Sequence, residues 1–255
     1  MASTVPVSVP LPVSVPLPVS VPLPVSVPLP VFVMCHPEHE RGRYEWLRAH
    51  LPARGIPLER ITWVHGLWGS ELTPAQVFAV YDPYKPRLGV TESVSYKSAS
   101  LSRGEISLLL TFHKVVEAAL ASGAPEVIVF ESDVVLRPDF CSRLTTVLAT
   151  DKPWDYISLG EGVGTRPPER KGASYFCPTE LFVPPHMWVY RCCDSMLFRR
   201  SFLEKIVKTL IPFRECLDWE MNIQHAAHGG RALWADPPLV EPGSGRWREP
   251  SQLNG

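Results

Sequence analysis

Two carboxylates, Glu131 and Asp133, follow the apolar run Val127-Ile128-Val129-Phe130. This spacing suits a site for a hard divalent cation. Side chains two apart on extended chain point to the same side. The pair can therefore share one cation that also grips a substrate diphosphate. The apolar run reads as a buried, parallel-type strand. In an open α/β sheet, ligands bind beyond the carboxyl ends of such strands. Acid-x-acid triplets also close ordinary strands with solvated acids, so the pair takes its meaning from its surroundings.

Other residues have chemistry to offer. Arg41 and Arg43 fall early in the helix after the first strand. There they could meet a nucleotide or phosphate, or serve only as solvated helix residues. Asp218 and Glu220 open a late helix, where Asp218 also suits a plain N-cap. Asp194 and Arg191 interrupt the extended apolar stretch 188–198. His113 lies on the apolar face of a helix, as a satisfied core histidine does.

The elements that position these groups follow a β-α-β opening. Residues 31–35 form an apolar strand and residues 38–53 a helix with Tyr44, Leu47 and Leu51 on one face. Gly55 and Pro57 stop it, and residues 61–64 form a second strand. That order implies a parallel sheet with a right-handed crossover. A short helix is predicted after Thr73-Pro74, and residues 82–101 read as a functional loop or lid, or as plain disorder. Ser102 and Glu105 make a capping box for a helix reaching Ser122, ended by Gly123. Pro138 opens a helix over 138–149. Residues 155–159 form a strand ending in Gly160-Glu161-Gly162. Residues 163–186 read as a second mobile loop. Ser201 and Glu204 form another capping box, for a helix to Leu210. A helix over 218–228 and a strand over 231–235 precede a turn-rich close.

Composition narrows the class. The chain has 255 residues, 45% hydrophobic and 20% charged, with a net charge of −1. That fits a globular domain with a sizeable core and gives no reason to expect a nucleic-acid surface. Six cysteines lack CxxC or His/Cys spacing and point to a reducing compartment rather than a disulfide framework. Residues 6–29 are four identical copies of Pro-Val-Ser-Val-Pro-Leu. Proline at such density disfavours a transmembrane helix, and no basic leader or cleavage site marks a signal peptide. The repeat reads as a disordered, extended tail over 1–30, ahead of a single domain over 31–255. A cytoplasmic location is expected, and no transmembrane helix.

Taken together, these pieces resemble glycosyltransferase family 25, the lipopolysaccharide and procollagen galactosyltransferase group. The resemblance covers residues 31–245. It rests on the opening strand with Arg41, Arg43 and Gly55-Ile56; on Gly104-Glu105-Ile106; on Glu131-Ser132-Asp133-Val134; on Asp155-Tyr156-Ile157; on Leu217-Asp218-Trp219-Glu220; and on Pro238-Leu239-Val240. Two departures stand out. Ser132 replaces the family's middle acid. Thr111-Phe112 replaces its Ser-His, with His113 one place late.

The resemblance implies a GT-A-like, Rossmann-type α/β fold with a mostly parallel sheet flanked by helices. It implies transfer of a sugar, with inversion, from a nucleotide-sugar donor such as a UDP-hexose to a glycan or protein hydroxyl. Glu131 and Asp133 would hold Mn2+ or Mg2+ against the diphosphate. Arg41 or Arg43 would add charge near the nucleotide. Asp218, with Glu220 as second choice, would be the catalytic base. Two alternatives stay open. One is a non-catalytic protein of the sugar-nucleotide fold, recruiting a partner through its Pro-rich tail. The other is a nucleotide-sugar hydrolase.

Overall fold

The computed structural model describes residues 27–85, 100–162 and 164–243. Most of the repeat and of the 82–101 loop lie outside these residues. The strands are β1 (Val31–Met34), β2 (Ile61–Val64), β3 (Glu126–Glu131), β4 (Val134–Leu136), β5 (Tyr156–Ser158), β6 (Glu180–Phe182), β7 (Ser195–Arg199), β8 (Ala232–Asp236) and β9 (Val240–Pro242). The helices are α1 (Arg41–Ala53), α2 (Pro74–Val80), α3 (Arg103–Ala121), α4 (Phe140–Leu148), α5 (Arg200–Ile206) and α6 (Leu217–Ala227).

A seven-stranded sheet runs in the order β2-β1-β3-β7-β5-β8-β6, and β4 pairs with β9 separately. β1 is parallel to β2 and to β3, and β5 is parallel to β8. β7 lies antiparallel between β3 and β5, and β6 is antiparallel to β8. Five of the seven strands thus share one direction. The fold is α/β, with a mostly parallel sheet flanked by helices.

Alternation along each strand builds two cores. Phe32, Val127, Val129, Met196, Phe198 and Tyr156 face one side, against α3, α5 and α6. Val31, Val33, Ile128, Phe130, Leu197 and Ile157 face the other, against α1 and α4. Apolar residues at every position of a strand are what burial on both faces demands.

Sequence and structure differ in instructive places. The Ser201–Glu204 capping box is not formed. β7 runs directly into α5, so Arg199 takes the N-cap position with no side-chain cap, and Glu204 pairs with Arg200 at 2.7 Å. The box at Ser102 does form, with Glu105 N–H donating to Ser102 Oγ at 3.2 Å. The described part of the expected loop over 163–186 is tied down and contributes β6. Arg166 donates to both oxygens of Asp236 at 2.8 Å, and Asp236 is fully buried. Arg143 reaches the carbonyls of Tyr175 and Cys177 and the hydroxyl of Thr179. His113 is not fully buried; it lies 3.6 Å from Glu117.

The end of the repeat packs on the domain. Val27, within the fourth copy of the repeat, is 2% exposed. Its N–H donates to the Gly55 carbonyl at 3.0 Å, and Leu29 packs on the same core.

Candidate active site

The chain turns to opposite sides of β1, with β2 on one flank and β3 on the other. The crevice beyond the carboxyl ends of such strands is where open sheets take ligands. Here it holds His36 and Glu40 after β1, and Glu131-Ser132-Asp133 at the end of β3.

The reversed strand brings a further acid to this edge. Because β7 runs against β3, its beginning faces the end of β3. Phe130 pairs with Ser195, and the Glu131 N–H donates to the Asp194 carbonyl at 2.8 Å. Asp218, in the first turn of α6, completes the group through Cys193, whose thiol and backbone N–H both donate to its carboxylate.

Glu131, Asp133, Asp194 and Asp218 therefore lie within electrostatic reach of one another. Desolvation pushes Glu131 well above the usual carboxylate range, and the charges of Asp133, Asp218 and Asp194 push the same way. Burial lifts Asp194 to about 6, against the hydrogen bond from Ser195. Asp218 is raised by burial, partly offset by Cys193.

Asp194 is 2% exposed. Its Oδ1 accepts from Ser195 Oγ at 2.8 Å, while its Oδ2 is buried with no hydrogen-bond partner. A buried polar atom left bare carries a desolvation penalty. Gly160 gives this carboxylate its room: a Cβ there would stand 2.7 Å from Oδ1 and 3.0 Å from Oδ2.

Arg191 brings a positive charge to the cluster. Arg191 donates to the carbonyls of Thr165 (2.6 Å) and Gly160 and to Ser158 Oγ (3.2 Å), and lies over the Trp234 ring. Burial lowers its pKa to about 10, so it stays charged. Asp194 is among the carboxylates that favour that charge.

The other candidates sit differently. Arg41 is exposed and pairs with Glu45 at 2.9 Å. Arg43 is buried at the crevice, but its guanidinium serves the protein: Nη1 donates to Ser132 Oγ at 3.0 Å and meets Glu40 at 3.4 Å. The Ser132 hydroxyl donates to Glu40 at 2.6 Å. Glu220 faces the loop before α6, accepting from the N–H groups of Arg214 and Glu215 and from Gln224. Asp218 is not the N-cap of α6; Cys216 holds that position, without a side-chain cap.

Among the described residues, no three His, Cys, Asp or Glu side chains converge tightly enough to enclose a metal ion. The donor set nonetheless suits a hard cation shared with a ligand. Carboxylate oxygens outnumber the cations nearby, and one buried oxygen lacks any partner. Magnesium- and manganese-type sites commonly take one or two carboxylates and complete the shell with substrate phosphates and water.

In sequence, Asp194 stands out only as an acid interrupting an apolar stretch, and Cys193 and Glu40 carry no signal. The signal for Asp194 was an acid at the start of an apolar strand. Its use depends on β7 running backwards, which no local pattern announces.

No family model matches the chain. It is similar to the probable inactive glycosyltransferase 25 family member 3 of Rattus norvegicus, at 30% identity over 208 residues, 73% of this chain and 36% of that protein. It is also similar to the inactive glycosyltransferase 25 family member 3 of Homo sapiens, at 27% identity over 142 residues, 52% of this chain and 24% of the relative. The Bos taurus counterpart, named probable inactive, matches at 27% over 142 residues. The chain thus spans between 24% and 36% of the length of these relatives.

Proposed function

We propose that the chain is a domain of the glycosyltransferase 25 type that binds a nucleotide sugar and transfers its hexose, with inversion, to a hydroxyl of a glycan or protein. The observation that carries this reading is the bare buried oxygen of Asp194 within the carboxylate group at the end of β3. Glu131 and Asp133 would hold Mn2+ or Mg2+. When bound, the ion supplies Lewis-acid neutralisation of the diphosphate leaving group.

The chain's own residues would do the rest. Asp218 takes the acceptor hydroxyl proton, because the base of a single displacement must face the sugar from the side opposite the leaving group. Its raised pKa brings it nearer to working pH, which favours proton transfer. Cys193 holds that carboxylate in place through two donors. Glu220 is less suited, since the Arg214 and Glu215 amides already take up its Oε2 and the Gln224 side chain its Oε1.

A second reading has its own support. Ser132 stands where the family carries an acid, and it is locked between Glu40 and Arg43. The matched relatives are named inactive. Binding without turnover would follow if that middle acid is needed.

The deciding experiment screens the full chain against UDP-, GDP-, CMP- and dTDP-sugars, with and without manganese and acceptors. Metal-dependent, acceptor-dependent nucleotide release that is lost in Asp133→Ala supports the transferase. Donor binding without release supports the non-catalytic reading. Free sugar without acceptor dependence indicates a hydrolase. Absence of all binding rejects the cation-diphosphate site.

A further inference from the structure

A second concavity lies at the opposite end of the sheet from the acids. Ala232 and Leu233, at the beginning of β8, form its floor. The end of α6 and the segment after β6 form its walls. Its volume is about 540 Å³, within the range of small-molecule sites.

Three features of this wall point to a ligand. First, it is largely apolar, and two of its side chains, Val183 and Met187, are 74% and 45% exposed. Second, His225 is 7% exposed, and its Nδ1 is buried with no hydrogen-bond partner. Gly230 lies directly against that nitrogen, and a Cβ there would stand 2.6 Å from Nδ1. Burial holds the imidazole neutral, at about 4, against the opposite pull of Asp155 and the Gly230 backbone. Third, the charged residues of the wall are Lys152 and Arg231, with no carboxylate. Asp155 accepts Arg231 in a two-pronged pair at 2.8 and 3.1 Å, which cancels that charge. Lys152 gives one N–H to the Leu181 carbonyl and keeps its positive charge.

We infer that this pocket binds an aliphatic carboxylate, its chain against Val183, Met187 and Leu233 and its head group toward Lys152 and the bare nitrogen of His225. A hydrocarbon chain suits the apolar wall, and an anion suits a wall whose net charge is that of one ammonium. The neutral imidazole can donate a hydrogen bond to the carboxylate, which a fully alkylated cation cannot accept. This site shares no residue with the acid group of β3 and stands independently of the function proposed above.

The test is calorimetric titration of the full chain with decanoate, decanol and decyltrimethylammonium. Decanoate is expected to bind about tenfold or more tightly than decanol, the difference a charge-assisted hydrogen bond supplies. Decyltrimethylammonium is expected not to bind. Lys152→Met should cut decanoate affinity by a similar factor while leaving decanol unchanged. Val183→Asp, at an exposed position that does not endanger folding, should weaken both. Asp133→Ala should alter neither. Equal binding of decanol and decanoate, no binding of either, or loss of binding in Asp133→Ala would each overturn the assignment.

Discussion

Asp194 keeps one carboxylate oxygen bare where water hardly reaches, and this has a measurable thermodynamic signature. Its folded pKa of about 6 lies above the ordinary 3.8. The native state therefore binds the proton more tightly than the unfolded chain, and stability falls as pH rises from about 4 to about 6. Glu131 and Asp218 shift in the same direction. Asp194→Asn removes the penalty for this residue. The variant is expected to be more stable than the parent by roughly 2 to 3 kcal/mol at pH 7.5, a gain that shrinks toward pH 4, as read by urea titration at both pH values. Gly160→Ala tests the same neighbourhood sterically. Its Cβ meets Asp194 and Ser195 at once and should cost about 1 to 3 kcal/mol in the same assay. The two base candidates also separate at this scale. Asp218→Asn should abolish turnover with donor binding kept, whereas Glu220→Gln should chiefly lower the melting temperature. At the residue level, the sequence exposed Glu131, Asp133 and Asp218, because acids beside apolar runs are conspicuous. It hid the Glu40–Ser132–Arg43 lock, whose members meet across 89 and 92 positions of chain.

Elements show where local rules hold and where tertiary structure overrides them. Ser102 and Ser201 are each followed three residues later by glutamate, yet only Ser102 caps a helix. Ser102→Ala is expected to cost about 1 kcal/mol in chemical denaturation, and Ser201→Ala close to nothing. The difference arises because β7 leads straight into α5, fixing the helix start at Arg199 before Ser201 can act. The segment over 164–186 teaches the converse. Its proline, glycine and basic residues resemble those of a loose loop, but the arginines are its anchors. Arg166→Ala would leave the buried Asp236 carboxylate without its two-pronged partner, with Arg170 3.5 Å away. A loss of about 3 kcal/mol or more is expected, with new protease cleavage in 164–186 as the accompanying readout.

Across the whole molecule, the sheet was legible in class and partly in topology. Uninterrupted apolar runs announced strands buried on both faces, and the β-α-β opening announced their parallel direction. The reversal of β6 and β7 was not legible, because direction depends on pairing partners distant in sequence. That reversal places Asp194 beside Glu131 and thereby shapes the candidate site. The packing of Val27 and Leu29 was not legible either, since a repeat reads the same whether or not part of it is packed. A chain trimmed to begin at Val31 should be weaker than the full chain by about 1.5 to 3 kcal/mol in thermal or urea unfolding, the value of one fully buried valine.

The seating of the fourth copy has a consequence for inheritance. Tandem arrays lose and gain whole units when a polymerase slips on its template. Here the units are identical, so whichever copy adjoins Val31 delivers the same Val-Pro-Leu to the slot beside Gly55. The array can therefore lengthen or shorten by six residues at a time without disturbing the domain it precedes. A substitution of Val27 or Leu29 in the last unit, by contrast, would fall directly on the fold.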